Sequence, residues 1–261
     1  MKTPLKSTGC RIFFILAFAK ASLLLTSCKS EPLDITKVTA TLEKIDAQRE
    51  EKESINEFIA PYKQSLDEQM NEVLCYNPTR MHKNDSPLNT PIGNMMTQVV
   101  YEQANPIFNQ RTGEDIHIVL LNHGGIRAPL EAGTVTTRNV YEIMPFENEL
   151  VVARLTGDQV NQLINYLVSR ERAHPIWGLE LTIKKGGTLV RATIQNEEIK
   201  SDRIYNVATN DYLYNGGDRM SFFKDTPMSM INYKLRNAMI DYFSRIDTLN
   251  FTTDSRFTYE K

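Results

Sequence analysis

Apolar residues fall at two different spacings along this chain. In TPIGNMMTQVVYEQAN, residues Ile92, Met95, Met96, Val99 and Val100 recur with the period of one helix face. Thr90 stands where an N-cap belongs, and Pro91 at the first helical position. In TGDQVNQLINYLVSR, residues Val160, Leu163, Ile164, Leu167 and Val168 repeat that pattern. MINYKLRNAMIDYF, with Ile231, Leu235, Met239 and Tyr242 on one face, predicts a last helix. Between these, DIHIVLLN, ELVVARL and RIYNVATND are short apolar runs of strand length. WGLELTIKKGGTLVRATIQNEEI predicts two strands joined by a Gly186-Gly187 turn.

Strands and helices alternate irregularly, with hairpin-like joins, so an α+β fold fits better than a doubly wound parallel sheet. No repeat or low-complexity tract interrupts residues 67–261, which are read as one domain. Residues 28–66 are polar and charged. There TATLEKIDAQREEKESINEFIAPYKQSLDEQM, apolar at Leu42, Ile45, Ile55, Ile59 and Leu66, predicts a solvated helical spacer that Pro61 kinks or breaks.

The N-terminus changes the setting. Lys2, Lys6 and Arg11 precede the apolar run IFFILAFAKASLLL, which is short for a membrane-spanning helix. The run ends in Leu25-Thr26-Ser27-Cys28, which resembles a bacterial lipobox. That resemblance implies a lipoprotein signal peptide over residues 1–27, cut before Cys28, whose thiol then carries lipid. An exported chain anchored only through that lipid, facing periplasm or cell surface, is expected. Cys10 leaves with the signal peptide and Cys75 has no partner, so packing rather than a disulfide must hold the domain together. With 261 residues and 41% hydrophobic content, the chain has ample material for a core. Its net charge of -2 argues against a general nucleic-acid binder.

Two glycine-rich corners carry the candidate chemistry. In NHGGIR, the diglycine after Asn122, which includes Gly125, lets main-chain amides approach an anion without Cβ interference. Arg127 adds a permanently charged fork suited to phosphate or carboxylate. Downstream, MPFEN holds Phe146 in a proline-containing loop, where a ring serves as packing or as a platform for a flat heterocycle. The second corner, NDYLYNGGD, joins aromatics to a diglycine turn and to Asp218, whose carboxylate suits ribose hydroxyls. Together these offer a cation for phosphate, two rings and a hydroxyl acceptor, the requirements of a nucleotide.

NHGGIR, MPFEN, the helix start RLTGDQVNQLI and YLYNGGD, in that order, resemble the C-terminal domain of the 5'-nucleotidase family, from about Ser86 to about Phe223. The resemblance implies a layered α-β-β-α domain that holds the nucleotide. It implies that Asn122 and Arg127 contact the phosphate end, Phe146 stacks on one face of the base, Tyr212 on the other, and Asp218 meets the ribose. Two departures stand out. Asp85-Ser86-Pro87-Leu88 lies where family members often carry a further phosphate-binding arginine. Arg219 replaces the small residue that often follows Gly-Gly-Asp.

Full-length members of that family also carry a metallophosphatase domain with two metal ions. The four histidines here, at 82, 117, 123 and 174, fall in none of its motifs. His117 is expected to be structural, His123 a loop residue, and His82 and His174 exposed. No catalytic residue or bound metal is therefore expected in this chain. Zinc or manganese is expected in a separate metallophosphatase polypeptide, with this chain as the nucleotide-binding half. The alternatives are a non-catalytic surface lipoprotein that captures nucleotides or nucleosides, or a relic fold kept for another interaction.

Overall fold

Residues 35, 37–45 and 51–261 are described by a computed structural model, and the expected signal peptide and Cys28 lie outside them. In chain order the elements are α1 (Glu53–Met70), β1 (Val73–Asn77), α2 (Pro91–Thr112), β2 (Ile118–Leu120), β3 (Gly133–Thr136), α3 (Thr137–Ile143), β4 (Glu149–Thr156), α4 (Gly157–Arg170) and β5 (Ile176–Trp177). There follow β6 (Leu179–Lys184), β7 (Thr188–Ile194), β8 (Ile204–Asn210), α5 (Asp211–Tyr214), β9 (Met228–Lys234), α6 (Leu235–Phe243) and β10 (Phe257–Tyr259).

The five-stranded sheet has the order β5-β2-β8-β4-β9. Within it, β2 runs parallel to β8, with Ile118 opposite Val207 and Val119 opposite Ala208. β4 runs antiparallel to both β8 and β9. One face is covered by α2, α3 and α6, in a core that includes Met95, Val99, Val152, Ala208, Leu235 and Met239. The other face shares a second core with α4 and with the smaller sheet β10-β6-β7, through Leu120, Leu155, Leu163, Leu167, Leu181 and Phe257. This is the layered α+β arrangement the sequence implied.

Local chemistry sets the helix ends. The Thr90 hydroxyl accepts from the Gly93 amide at 3.3 Å, and Gly113, at φ 73, ends α2 in the left-handed conformation. Thr156 and Gln159 form a reciprocal capping box at the start of α4.

Several expectations are corrected. The last helix begins at Leu235, because residues Met228–Lys234 pair with β4 as an edge strand. Its helical period is genuine only from Leu235 onward. Asn232, at φ 59, marks the irregular register there. Pro61 does not break α1, all of whose residues lie outside the buried core, so water can satisfy the carbonyl that the proline leaves free. Residues 37–45 carry no helix or strand. Cys75 belongs to β1 and is buried, and that burial pushes its thiol pKa up to about 11. Among the described residues no helix is long and apolar enough to cross a membrane.

Candidate nucleotide-binding site

Because β2 and β8 are parallel neighbours, their C-terminal ends open on the same edge of the sheet. β4 is antiparallel to β8, with Leu150 opposite Asn210, so the segment that enters β4 lies at that edge too. Three sequence segments far apart in the chain thus converge: Asn122–Arg127 after β2, Phe146–Asn148 before β4, and Tyr212–Asp218 after β8.

The first bend is a 3-10 turn, His123–Gly125, built into the protein interior. Gly125 donates its amide to Asn122 O at 3.0 Å, and Arg127 donates to Ile143 O at 2.9 Å, at the end of α3. A Cβ on Gly125 would fall 2.8 Å from Asn122 Oδ1, so the bare backbone is a packing requirement. Asn122 and His123 are buried. Arg127 is exposed, and its guanidinium carbon lies 5.9 Å from the centre of the Phe146 ring.

The second bend follows α5, whose N-cap is Asn210, accepting from the Leu213 amide at 2.9 Å. Gly216 takes φ 90, and the two residues beyond Gly217, Asp218 and Arg219, are also left-handed. A Cβ on Gly217 would lie 2.5 Å from the Tyr212 ring, so glycine there lets that ring fold back over the turn. The Tyr212 hydroxyl donates to Asp218 Oδ1 at 3.0 Å, and Asn122 Nδ2 donates to Asp218 Oδ2 at 2.7 Å. Asp218 therefore bridges the two corners.

Asn122, Gly125, Arg127, Phe146, Tyr212 and Asp218, the residues singled out from sequence, all line one cavity of about 320 Å³. Gly124 and Asn148 complete its wall. Asn148 is legible as the asparagine of MPFEN, although the sequence reading does not count it as a site residue. Phe146 is 41% exposed and Tyr212 47%, so both rings present apolar surface to the cavity and to water. Beneath Phe146, buried Arg236 donates to Phe146 O at 3.2 Å and pairs with Glu147. Lys234 pairs with the same carboxylate; hydrogen bonds from Lys234 and then Arg236 hold its pKa down to about 2.

Lys83 was not singled out from sequence. Its ammonium donates to Ile126 O at 2.7 Å, one residue before Arg127. Burial lowers its pKa, and the charges of Arg127 and Arg172 lower it further.

His117, His123 and His174 make hydrogen bonds within the fold. His117 Nδ1 accepts from the Asn206 amide at 3.0 Å. His123 Nε2 faces Lys83 O and the Asn84 side-chain oxygen at 3.1 and 3.0 Å. His174, expected to be exposed, is buried beneath the first bend, where its Nδ1 accepts from the His123 amide at 3.4 Å. Burial, the largest cause in both cases, lowers the pKa of His123 and of His174 to about 4, leaving both rings neutral at pH 7. Among the described residues no group of three or more His, Cys, Asp or Glu side chains is placed to hold a metal ion. The described donor set does not fit the metal pair of full-length family enzymes.

The model of the family "5'-nucleotidase, C-terminal domain" matches residues 71–225, and the chain belongs to that family. It is 28% identical over 198 residues to the trifunctional nucleotide phosphoesterase protein YfkN of Bacillus subtilis (strain 168), covering 69% of this chain and 13% of that protein. It is 30% identical over 148 residues to the cell wall protein Lmo0130 of Listeria monocytogenes, covering 51% of this chain and 18% of that protein. A 5'-nucleotidase precursor from Thermus thermophilus shares the fold, with TM-score 0.66, 22% identity, and coverage of 78% of this chain and 42% of that one. The chain thus spans less than half the length of each of these three proteins.

Proposed function

We propose that this chain is the nucleotide-binding half of a 5'-nucleotidase. In this reading it grips base, ribose and phosphate while a separate metallophosphatase polypeptide, carrying zinc or manganese, removes the phosphate. The single observation that carries the reading is the convergence of two exposed rings, an exposed arginine fork and a bridging carboxylate on one 320 Å³ cavity. A base inserted between Phe146 and Tyr212 removes apolar ring surface from water on both of its faces. Asp218 is in place to accept from ribose hydroxyls once its bond from Tyr212 or Asn122 is exchanged. Asn122 and the exposed Arg127 fork meet the phosphate end, with the Gly125 backbone lying close to it.

A second reading is a lipoprotein that captures nucleotides or nucleosides without hydrolysis, through the same cavity. In either reading the chain is exported and held at a membrane through lipid on Cys28. The cell-wall relative and the N-terminal sequence support export.

Calorimetric titration with AMP, ADP and adenosine, followed by phosphate release with zinc or manganese, tests the proposal. Binding without turnover, and turnover only after adding a metal-domain phosphatase, are the expected results. Turnover of AMP by the chain alone overturns the division of labour. Binding with no activity in any mixture favours the capture reading, and no binding at all removes both.

A further inference from the structure

A second cavity of about 380 Å³ adjoins the first and shares Gly124 and Asp218 with it. Its remaining lining is Tyr166, Arg170, Arg172, His174 and Arg219. Three guanidinium groups and one carboxylate thus face a space next to the residue assigned to the ribose. That carboxylate is already engaged on both oxygens, by Tyr212 and Asn122. Among the described residues none of the three arginines forms an ion pair, as holds also for Arg111, Arg127, Arg191 and Arg245, whereas Arg80, Arg138, Arg154, Arg203, Arg236 and Arg256 all do. Uncompensated arginines gathered around a hollow leave a positive field that an anion relieves.

The walls hold these charges in place. Arg170 lies over the Tyr166 ring, 5.1 Å from its centre, and the Tyr166 hydroxyl donates to Asp218 O at 3.0 Å. Arg219 follows Asp218 in the second bend with φ 64, a left-handed conformation that a residue with a side chain adopts only at some cost. It also stands where the family pattern usually has a small residue, so this charge is a departure specific to the sequence in hand.

We propose that this arginine-lined cavity receives a second phosphoryl group, carried on the ribose edge of the bound nucleotide, so that the preferred ligand class is nucleoside 3',5'-bisphosphates. The proposal rests on the nucleotide-binding reading above. The 5'-phosphate faces Arg127 across the first cavity, the base lies between the rings, and the sugar meets Asp218. The ribose 3'-substituent then points past Asp218 into the second cavity. A phosphate there gains the three guanidinium groups, while Asp218 keeps the free 2'-hydroxyl as its donor. A mononucleotide leaves the cavity to water.

The test is titration calorimetry of the full chain with AMP, ADP and adenosine 3',5'-bisphosphate at low salt. The expected result is bisphosphate binding about tenfold tighter than AMP, a margin that shrinks as salt is added because the arginines are exposed. Arg172→Ala with Arg219→Ala should erase that margin and leave AMP affinity within about twofold. AMP binding with no gain for the bisphosphate overturns the second site and leaves the base clamp standing. An equal gain for ADP that the paired substitution abolishes also overturns it, by giving the cavity to a diphosphate tail. If neither AMP nor the bisphosphate binds, both readings fall.

Discussion

The two glycine-rich bends use the same residue type for opposite reasons. In the Asn122–Arg127 bend, Gly125 is packed: the space beside it is filled by the side chain of Asn122, and the neighbouring Asn122 and His123 are buried. The main-chain amides of Arg127 and His123 donate inward, to Ile143 O and His174 Nδ1. In the Asn215–Arg219 bend, glycine serves conformation and reach. Gly216 supplies a left-handed turn with open space around it, and Gly217 makes room for a ring that remains half exposed. The difference teaches that the first bend is part of the scaffold and the second is shaped around whatever occupies the cavity. Damage at buried Gly125 should appear in stability, and damage at the exposed rings and at Arg127 in binding.

The largest expected effect sharpens the first half of that contrast through pH. His174 is neutral when folded, with a pKa of about 4, against an ordinary value of 6.5. Between those values the unfolded chain binds more protons than the folded one. Stability is therefore full above pH 6.5 and is lost as pH falls toward 4, by up to about 3 kcal/mol. Melting temperatures of wild type and His174→Gln at pH 7 and 4.5 should show a smaller acid loss in the variant. Parallel losses would place the sensitivity elsewhere.

Next, Gly125→Ala should cost about 1–3 kcal/mol of stability, since the new methyl must displace buried Asn122 and its bond to Asp218. Chemical denaturation measures it, and an unchanged midpoint would break the claim that this bend is scaffold. Substitutions on the open side are expected to act on ligands instead. Phe146→Ala and Tyr212→Ala should each weaken AMP binding by about 1–3 kcal/mol with little change in melting. Calorimetry that finds neither loss refutes the base clamp. The smallest effect belongs to Arg127→Ala, about 1.5 kcal/mol for AMP and less for adenosine, if the guanidinium answers the phosphate as proposed. Equal losses for both ligands would remove that assignment.

Much of the fold is readable because it depends on local pattern. The stripe Ile92 to Val100 and the stripe Val160 to Val168 each bury one helix face, and their ends carry cap residues visible in the sequence. The elements that escape are short and held by distant partners. β1 pairs with β3 across more than fifty residues, β5 has two residues, and β10 adds to β6 from the far end of the chain. A strand of that length has no period of its own. Residues Met228–Lys234 read as helix because Ile231 falls in phase with Leu235 and Met239. Pairing with β4 outweighs that phase, since an edge position beside an eight-residue strand offers a ladder of hydrogen bonds. His174 reads as exposed because it lies in a polar stretch of sequence; in the fold it is buried, with the Tyr166 ring of α4 on one side and the His123 amide of the first bend on another.

The sequence by itself determined the residue chemistry: rings at 146 and 212, an acid at 218, a fixed charge at 127, and glycines where the backbone must bend tightly. Glycine at a tight bend, and aromatic and charged side chains, have the same chemistry wherever they fall, so their types can be read one position at a time. Only the tertiary structure decided that they meet. The parallel pairing of β2 with β8, and the antiparallel return through β4, bring three distant loops to one sheet edge, and strand order is a non-local property that no single segment encodes. The same convergence places Arg170 and Arg172, which no sequence motif marks, together with Arg219 around a second hollow beside the first.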